Sequence, residues 1–325
     1  MSNRRAQKYR ERQELRQQIE EEEEAEVPSV TSSNEHLPFA SEECIEPEKV
    51  IEMFKTCLAD ILESEDLQDV IQEVKGDLYR RDYLVAFDDD EKRYAYALRW
   101  TPSRAIAYAS LFGSLKQITE LFKSNGGQRK ALCVGGGAAG ELVGLGAVYA
   151  RQKQLNPQCP ALSVDLVDIA NWKNVVASLY NDMSSWFYDP SQFTTKFMKK
   201  DILGLSISFS DYDLITVLFT TNELFTEKRK ETIGFLSRLL AQCKPGSLLL
   251  MAELAGSYSH IEVGSKKFPV QMLIDMVLLG KKGEDNGAWE VVDQSESCWY
   301  RVRGELNYPM KLENMRFFYR LYKHK

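Results

Sequence analysis

Ala131-Leu-Cys-Val-Gly-Gly-Gly-Ala-Ala-Gly-Glu-Leu142 places a glycine-rich turn between a short apolar segment and the start of a helical pattern. Gly135, Gly137 and Gly140 fit the pattern G-x-G-x-x-G, which permits a sharp turn, a close ligand approach and a tightly packed helix. The next apolar run ends in Asp168, whose carboxylate can accept hydrogen bonds from both hydroxyls of a ribose. Strand, turn, helix and acid in this order predict an α/β sheet that binds a nucleoside cofactor.

The composition allows one large domain and argues against several classes of protein. The chain has 325 residues, of which 44% are hydrophobic, so it can bury a sizeable core. Its net charge of −7 gives no overall signature of nucleic-acid binding. No apolar run approaches the ~20 residues that span a bilayer, and the polar N-terminus lacks the apolar core of a secretory signal. We therefore expect no membrane contact and an intracellular location, in the cytoplasm or in the nucleus or nucleolus.

The cysteines and histidines do not follow the spacing of a disulfide framework or a metal site. Six cysteines are scattered without a C-x-x-C pair, and the three histidines lie far apart in the sequence. This distribution predicts reduced thiols and no metal centre.

Changes in composition divide the chain into an arm and a globular part. Residues 1–26 are almost entirely polar and the following twenty carry prolines and serines, so residues 1–46 are predicted to form a disordered charged arm and linker. From residue 47 the pattern is globular. A helical lead-in is expected over about 47–125 and a sheet core over about 126–325.

The lead-in contains two local signals. Residues 80–97 alternate tyrosines with charged residues, which favours a strand or a loop. Thr101 followed by Pro102 predicts a helix start, with the hydroxyl as cap and the proline where its missing N–H costs nothing. The apolar residues 105–112 continue that helix.

Apolar runs alternate with helical patterns throughout the sheet core. The patterns at 233–240 and 270–279 predict helices, and such alternation implies a parallel, doubly wound sheet. The last two strands follow each other without a clear helix, so the sheet is expected to end in an antiparallel pair. The predicted strands are 131–135, 162–168, 195–199, 213–219, 247–252, 289–293 and 315–322.

Seven strands with a closing hairpin and a glycine turn on the first strand resemble the class I S-adenosylmethionine (SAM) methyltransferases over about 100–325. The resemblance implies a Rossmann-like α/β sheet with helices on both faces, preceded by an N-terminal helical extension, and SAM as cofactor. It implies that Asp168 binds the ribose and Asp201 the adenine amino group, while the glycines face the methionine part. One departure is Cys133, at a position where the family often has an acid. The implied cofactor residues are Gly135, Gly136, Gly137, Gly140, Asp168 and Asp201.

Both acids have structural alternatives. Asp168 could instead cap the helix that follows it, and Asp201 could be an ordinary loop residue. A nicotinamide or flavin enzyme could use the same glycine turn, but such enzymes usually carry a further substrate domain, for which this chain has no room. The pattern therefore favours SAM.

The segment after the fourth strand, Leu218-Phe-Thr-Thr-Asn-Glu-Leu-Phe225, narrows the acceptor chemistry. It has no Asn-Pro-Pro-aromatic motif for adenine amino groups and no cysteine for addition to a pyrimidine ring. Direct attack by a nitrogen or oxygen remains, for which positioning supplies most of the acceleration. Asn222 and Glu223 are the predicted catalytic residues, with Glu223 as the base for an imide nitrogen. Glu223 has an equal alternative as a helix cap.

The C-terminal segment 299–325 differs in charge from the rest of the chain. It holds seven basic and two acidic residues, interleaved with aromatic side chains that can stack on unpaired bases. Part of this set must be core, because residues 315–322 alternate as a strand, but its arginines are expected to face solvent or RNA. The predicted phosphate contacts are Arg99, Arg104, Arg301 and Arg316.

Two longer stretches narrow the resemblance. Residues 100–108, Trp-Thr-Pro-Ser-Arg-Ala-Ile-Ala-Tyr, and residues 308–316, Tyr-Pro-Met-Lys-Leu-Glu-Asn-Met-Arg, resemble a fungal family that methylates N(3) of a uridine in large-subunit ribosomal RNA. The resemblance implies ribosomal RNA or a pre-ribosome as partner. A protein or small-molecule methyltransferase and a noncatalytic RNA- or partner-binding module of the same fold remain the alternatives.

Overall fold

The strand that precedes the glycine turn, Gln128–Val134, lies inside one eight-stranded sheet. The computed structural model describes residues 35–256, 260–263, 266–280 and 287–325. The arm predicted at the N-terminus therefore lies outside the described residues as far as residue 34.

Ten strands occur in the described part of the chain, eight in the main sheet and two in a separate hairpin. They are β1 (Glu35–His36), β2 (Gln128–Val134), β3 (Ala161–Asp168), β4 (Phe193–Lys199), β5 (Leu214–Leu218), β6 (Leu248–Leu254), β7 (His260–Val263), β8 (Lys266–Pro269), β9 (Trp289–Tyr300) and β10 (Met315–His324).

Eleven α-helices occur in the same described ranges. They are α1 (Pro47–Cys57), α2 (Ala59–Leu62), α3 (Leu67–Tyr79), α4 (Tyr83–Ala86), α5 (Asp90–Arg99), α6 (Thr101–Ser114), α7 (Lys116–Glu120), α8 (Gly140–Leu155), α9 (Lys173–Met183), α10 (Thr221–Gln242) and α11 (Val270–Leu278). Single turns of 3₁₀ helix lie at Ser184–Trp186, Pro190–Gln192 and Phe209–Asp211.

The order of strands in the main sheet is β1-β9-β10-β6-β5-β2-β3-β4. Strands β2 to β6 are parallel to one another, while β10 is antiparallel to both β6 and β9. The seven predicted strands and the closing antiparallel pair are thus confirmed. The chain winds outward from β2 through β3 to β4, then returns to add β5 and β6 on the other side. This reversal opens a crevice at the carboxyl ends of β2 and β5, where ligands bind in sheets of this kind.

Helices cover both faces of the sheet because the buried strands are apolar on both sides. Side chains of β2 alternate between the two faces, with Cys133 in one apolar cluster and Val134 in the other. The first cluster includes α1, α6, α8 and α9, and the second includes α10 and α11. This confirms the predicted arrangement of an α/β sheet with helices on both faces.

The structure differs from the sequence prediction in the lead-in. The stretch 80–97, predicted to be a strand or a loop, forms α4 and most of α5. Acidic side chains begin both helices: Asp82 accepts a hydrogen bond from the N–H of Val85, and Asp89 accepts one of 2.8 Å from Lys92. Thr101 is the first residue of α6 and makes no capping hydrogen bond, so the predicted hydroxyl cap was wrong.

The predicted linker was also wrong for residues 35–46. Strand β1 pairs in parallel with the end of β9, and the carbonyl of Pro38 accepts a hydrogen bond of 2.6 Å from Ser110 in α6. Cys44 and Ile45 are buried in the apolar cluster that contains α6. Tertiary contacts thus fix a stretch whose own sequence is polar and rich in turn residues.

None of the helices in the described ranges is long and apolar enough to cross a membrane. All six cysteines fall within those ranges and are free thiols, as predicted, and five of them are buried.

Candidate active site

The glycine turn leads from the end of β2 into α8. Gly135 has φ +69°, a backbone conformation that residues with a side chain rarely adopt. A Cβ atom at this position would also overlap Thr220. A Cβ atom at Gly137 would overlap both the indole of Trp172 and the carboxylate of Asp168. Both positions therefore require glycine, and the turn brings the ends of β2, β3 and β5 together.

A cavity of about 380 Å³ opens at these strand ends. Its size falls within the range of small-molecule sites. Gly135, Gly136 and Gly140 line it, whereas Gly137 faces Asp168 instead. The predicted acids Asp168, Asp201 and Glu223 also line the cavity. The structure thus brings most of the predicted cofactor residues together in one place.

Asp168 fixes the backbone around the turn. Its Oδ2 accepts a hydrogen bond of 3.1 Å from the N–H of Gly137, and its Oδ1 accepts one of 2.9 Å from Ala170. Burial raises the pKa of Asp168 to about 6, although these hydrogen bonds oppose the shift. The following helix, α9, begins only at Lys173 and has no side-chain cap. The geometry therefore does not support Asp168 as a helix cap.

Asp201 follows β4 and forms an ion pair at the cavity. Its Oδ2 lies 2.7 Å from Nζ of Lys228, and its Oδ1 accepts a hydrogen bond of 2.9 Å from the N–H of Leu203. Burial acts to raise the pKa of Asp201, but the bond from Lys228 prevails and lowers it below its ordinary value. Asp201 is therefore an ionised acceptor at the edge of the cavity.

Glu223 lies in the first turn of α10. Burial raises its pKa to about 8, and the neighbouring carboxyls of Asp168, Glu227 and Glu253 add to the shift. A carboxyl with such a pKa can exchange a proton near neutral pH. Asn222 does not line the cavity. Its backbone N–H donates a hydrogen bond of 3.1 Å to Glu253, so the structure gives this residue a place beside the site but no contact with it.

Glu253 is a buried acid behind the site that the sequence analysis missed; it does not line the cavity but adds to the pKa shift of Glu223. It is 3% exposed, ends the apolar run of β6 and lies beside the start of α10. Burial raises its pKa to about 7, against the hydrogen bonds from Asn222 and Leu254. An acid that ends a buried strand was the available signal, as it was for Asp168.

Arg104 and Glu141 also line the cavity. The guanidinium of Arg104 lies over the rings of Tyr96 and Phe219, at 5.7 and 5.3 Å from their centroids. Glu141 follows the third glycine directly, is 4% exposed, and its Oε1 has no hydrogen-bond partner. Cys133, where the family often has an acid, is fully buried and does not line the cavity.

The lead-in helices supply an aromatic wall. The ring of Phe87 lies 4.9 Å from that of Trp172 and 5.0 Å from that of Tyr96, and Tyr83 adds a phenol to the lining. Burial raises the pKa of Tyr83, and the carboxyl of Glu223 adds to the shift, which places Tyr83 near the predicted base. Sequence analysis missed Tyr83, Phe87 and Tyr96 because their segment was not recognised as helical.

The two stretches 100–108 and 308–316 meet in space. The hydroxyl of Tyr308 donates a hydrogen bond of 2.7 Å to the carbonyl of Leu98, two residues before the first stretch. The hydroxyl of Ser103 accepts one of 2.8 Å from the N–H of Glu313. Arg99 forms an ion pair with Glu313. Arg99 is thus engaged in holding the two stretches together, and Arg104 faces the cavity rather than the outer surface.

Arg301, Arg316 and Trp299 form what we call the arginine–tryptophan patch. The exposed Arg301 lies 4.3 Å above the ring of Trp299, and Arg316 lies 5.6 Å from the same ring while donating a hydrogen bond to Ser297. By contrast, Arg320 is buried and paired with Glu296, so the expectation that the C-terminal arginines face outward was wrong there.

The arginine–tryptophan patch lies on the same edge of the sheet as the cavity. Leu254, which lines the cavity, is paired with Phe317 across β6 and β10, and the adjacent Arg316 is paired with Trp299 across β10 and β9. Neighbouring strands are about 4.8 Å apart, so the patch begins on the order of 10 Å from the cavity mouth.

Comparison with known proteins identifies related sequences over most of the chain. A family model described as "Putative SAM-dependent methyltransferase" matches residues 54–323. The 25S rRNA (uridine(2843)-N(3))-methyltransferase of Saccharomyces cerevisiae is 41% identical over 320 aligned residues, which cover 88% of this chain and 88% of the yeast protein.

Solved structures that match part of this chain share little sequence with it. The N-methyltransferase NodS from Bradyrhizobium japonicum, in complex with S-adenosylhomocysteine, is 13% identical, covers 60% of this chain and 78% of its own, and has a TM-score of 0.33. A SAM-dependent methyltransferase from Methanosarcina mazei is 12% identical, covers 65% of this chain and 98% of its own, and has a TM-score of 0.37.

Proposed function

This chain belongs to the SAM-dependent methyltransferase family, and we propose that it methylates N(3) of a uridine in large-subunit ribosomal RNA. The observation that carries the proposal is the position of Glu223, a partly buried carboxyl that lines the cofactor cavity and whose pKa is raised to about 8. The yeast relative, which is named for this reaction, supports the choice of acceptor.

The residues of the cavity fit SAM. The glycine turn leaves room where side chains would overlap their neighbours, and Asp168 stands at the end of β3, where a ribose would be bound. Asp201 stands at the end of β4, in reach of an adenine amino group. The carboxyl groups of Asp168, Asp201 and Glu223 line the cavity and repel one another when ionised. A ligand with a positively charged sulfonium is favoured there, because its attraction to the carboxylates offsets this repulsion.

When bound, SAM supplies a methyl group on a sulfonium, which is already a good leaving group. The residues of this chain must then hold the acceptor in line and remove its proton. The imide N(3) of uridine carries a hydrogen, and Glu223 as a carboxylate accepts it. The freed lone pair of N(3) forms the new bond to carbon, while the electrons of the broken carbon–sulfur bond stay on sulfur.

The residues around Glu223 favour direct methyl transfer to a ring nitrogen over other methylations of a base. Phe219 and Thr220 occupy the place of an Asn-Pro-Pro-aromatic motif, and no cysteine occurs among the described residues that line the cavity. Addition of a thiolate to the ring of a pyrimidine is therefore not supported. Tyr83 and Phe219 line the same cavity as Glu223 and supply aromatic rings on which a flipped base can stack.

The arginine–tryptophan patch supports an RNA acceptor. Stacking on Trp299 holds the guanidinium of Arg301 in place while leaving its N–H groups free for phosphate oxygens. Because the patch lies on the same sheet edge as the cavity, one RNA segment can reach both. An acceptor in ribosomal RNA also implies work on a pre-ribosome or ribosomal subunit, in the nucleolus or in the cytoplasm.

The experiment is incubation of the purified chain with labelled SAM and ribosomal RNA, followed by nucleoside analysis by mass spectrometry. We expect 3-methyluridine to appear in RNA from cells that lack the enzyme, and not when the acceptor uridine is replaced by cytidine. Label in a protein fraction, with none in RNA, would instead identify a protein methyltransferase. Another methylated nucleoside would overturn the uridine N(3) assignment.

A further inference from the structure

The cavity contains a cation and an acid that the proposed transfer does not use. Arg104 comes from α6 in the lead-in, and Glu141 from the first turn of α8. Among the residues that the structure describes, no carboxylate lies within 4.0 Å of the Arg104 guanidinium, although it lines the cavity. Glu141 is buried, yet one of its oxygens has no hydrogen-bond partner.

An unpaired guanidinium and an unpartnered carboxyl oxygen in one cavity point to a ligand that binds both. A buried polar atom without a partner costs about 1–3 kcal/mol, and native structures rarely keep one without a reason. The rings of Tyr96 and Phe219 hold the guanidinium in place without neutralising its charge. A ligand with a carboxylate and an ammonium group would satisfy both residues.

Both residues adjoin the third glycine of the turn. Glu141 follows Gly140 in the chain, and a Cβ atom at Gly140 would lie 3.7 Å from Cβ of Arg104. The position two residues before the first glycine, where the family often has an acid, is Cys133 in this chain. Cys133 is buried in the sheet and offers no carboxylate. The amino-acid end of the cofactor therefore needs partners from other elements.

We propose that Arg104 binds the carboxylate of the methionine part of SAM and that Glu141 binds its ammonium group. Arg104 is thereby a cofactor-binding residue and not a contact to RNA phosphate. The proposal rests on the SAM-dependent activity of the family but does not depend on the RNA acceptor. Because Arg104 belongs to α6, cofactor binding then depends on the helical lead-in as well as on the sheet core.

Calorimetric titration with three ligands, in the absence of RNA, distinguishes carboxylate binding by Arg104 from ammonium binding by Glu141. S-adenosylhomocysteine carries both charged groups, its decarboxylated analogue keeps only the amine, and 5′-methylthioadenosine has neither. Arg104→Met should weaken S-adenosylhomocysteine roughly 10- to 100-fold and leave the other two unchanged. Glu141→Gln should weaken the first two ligands by a similar factor and leave methylthioadenosine unchanged.

Methylthioadenosine binding shows that each variant is folded, and Arg104→Lys, which keeps a charge, should restore part of the lost affinity. Lys116→Met, at an exposed position in α7, is the matched control and should bind all three ligands normally. Equal weakening of all three ligands, or unchanged affinity for S-adenosylhomocysteine, would overturn the proposal. Because no RNA is present, neither result bears on the uridine acceptor.

Discussion

The backbone N–H of Gly137 donates a hydrogen bond of 3.1 Å to Oδ2 of Asp168. The acid at the end of β3 therefore holds the glycine turn at the end of β2, besides facing the cavity. Gly137 itself has no room for a side chain, because a Cβ atom there would overlap this same carboxylate. The two signals that the sequence shows separately, the glycines and the acid, thus form one structural unit.

Replacing Asp168 should weaken SAM binding by two routes. Asp168→Ala removes a ribose acceptor and also frees the glycine turn, so we expect a loss of about 100-fold in affinity. Asp168→Asn keeps an oxygen for one backbone N–H and should lose less, about 10-fold. Calorimetric titration with SAM measures both, with the exposed Asp211→Ala as control. Unchanged affinity in Asp168→Ala would remove this residue from the cofactor site.

Replacing Glu223 should abolish most of the methyl transfer while keeping SAM bound. Loss of a general base typically costs 10²- to 10⁴-fold in rate, and we expect Glu223→Gln to fall in the lower part of that range. Single-turnover methylation of ribosomal RNA measures the rate, and calorimetry measures SAM affinity. Glu231→Gln, on the exposed side of the same helix, is the control and should react like the parent.

The same residue should set the pH dependence of the reaction. The pKa of Glu223 is raised to about 8, and only its carboxylate can accept the imide proton. The rate should therefore rise with pH and level off above the pKa, and a bound sulfonium should shift the midpoint below 8. Single-turnover rates between pH 6 and 9 test this. A profile of the same shape in Glu223→Gln would show that another group titrates.

The sheet was predictable because its central parallel strands are apolar along most of their length. Each of the seven apolar runs became a strand, and the order of glycines and acid located the cavity. The pair β1 and β9 was not predictable in the same way, because Glu35 and His36 carry no apolar signal and are fixed by pairing with the far end of the chain.

The misread lead-in explains most of the missed site residues. Alternation of tyrosine and charge over 80–97 imitates a strand, whereas the aspartates before α4 and α5 are the caps of two helices. Arg104 resembled a surface arginine because charged residues are usually exposed. Its actual surroundings come from α5, the turn after β5 and the start of α8, which only the fold brings together.

Arginines of the arginine–tryptophan patch should control RNA affinity without affecting the cofactor. Replacing Arg301 or Arg316 by alanine removes a phosphate contact, so RNA binding should weaken and the slope of log affinity against log salt should fall by about one. Fluorescence anisotropy at several salt concentrations measures this. Lys116→Ala is the control and should keep the parent slope, because Lys116 is exposed and its neighbour Gln117 contacts Val292 near the start of β9, away from the patch at the end of that strand. An unaltered slope in both patch variants would exclude the patch from the RNA interface.

The stability of the ligand-free domain should fall as the pH rises from about 5 to 8. Burial raises the pKa of Glu223 to about 8 and that of Glu253 to about 7, so the folded state holds more protons than the unfolded state in this window. Unfolding then releases protons and becomes easier at higher pH, by on the order of 2 kcal/mol. Urea unfolding at several pH values measures the loss. Glu223→Gln cannot ionise and should lose less stability, and an equal loss in this variant would assign the effect to other groups. Saturating SAM should reduce the loss, because its positive charge favours the ionised carboxyls.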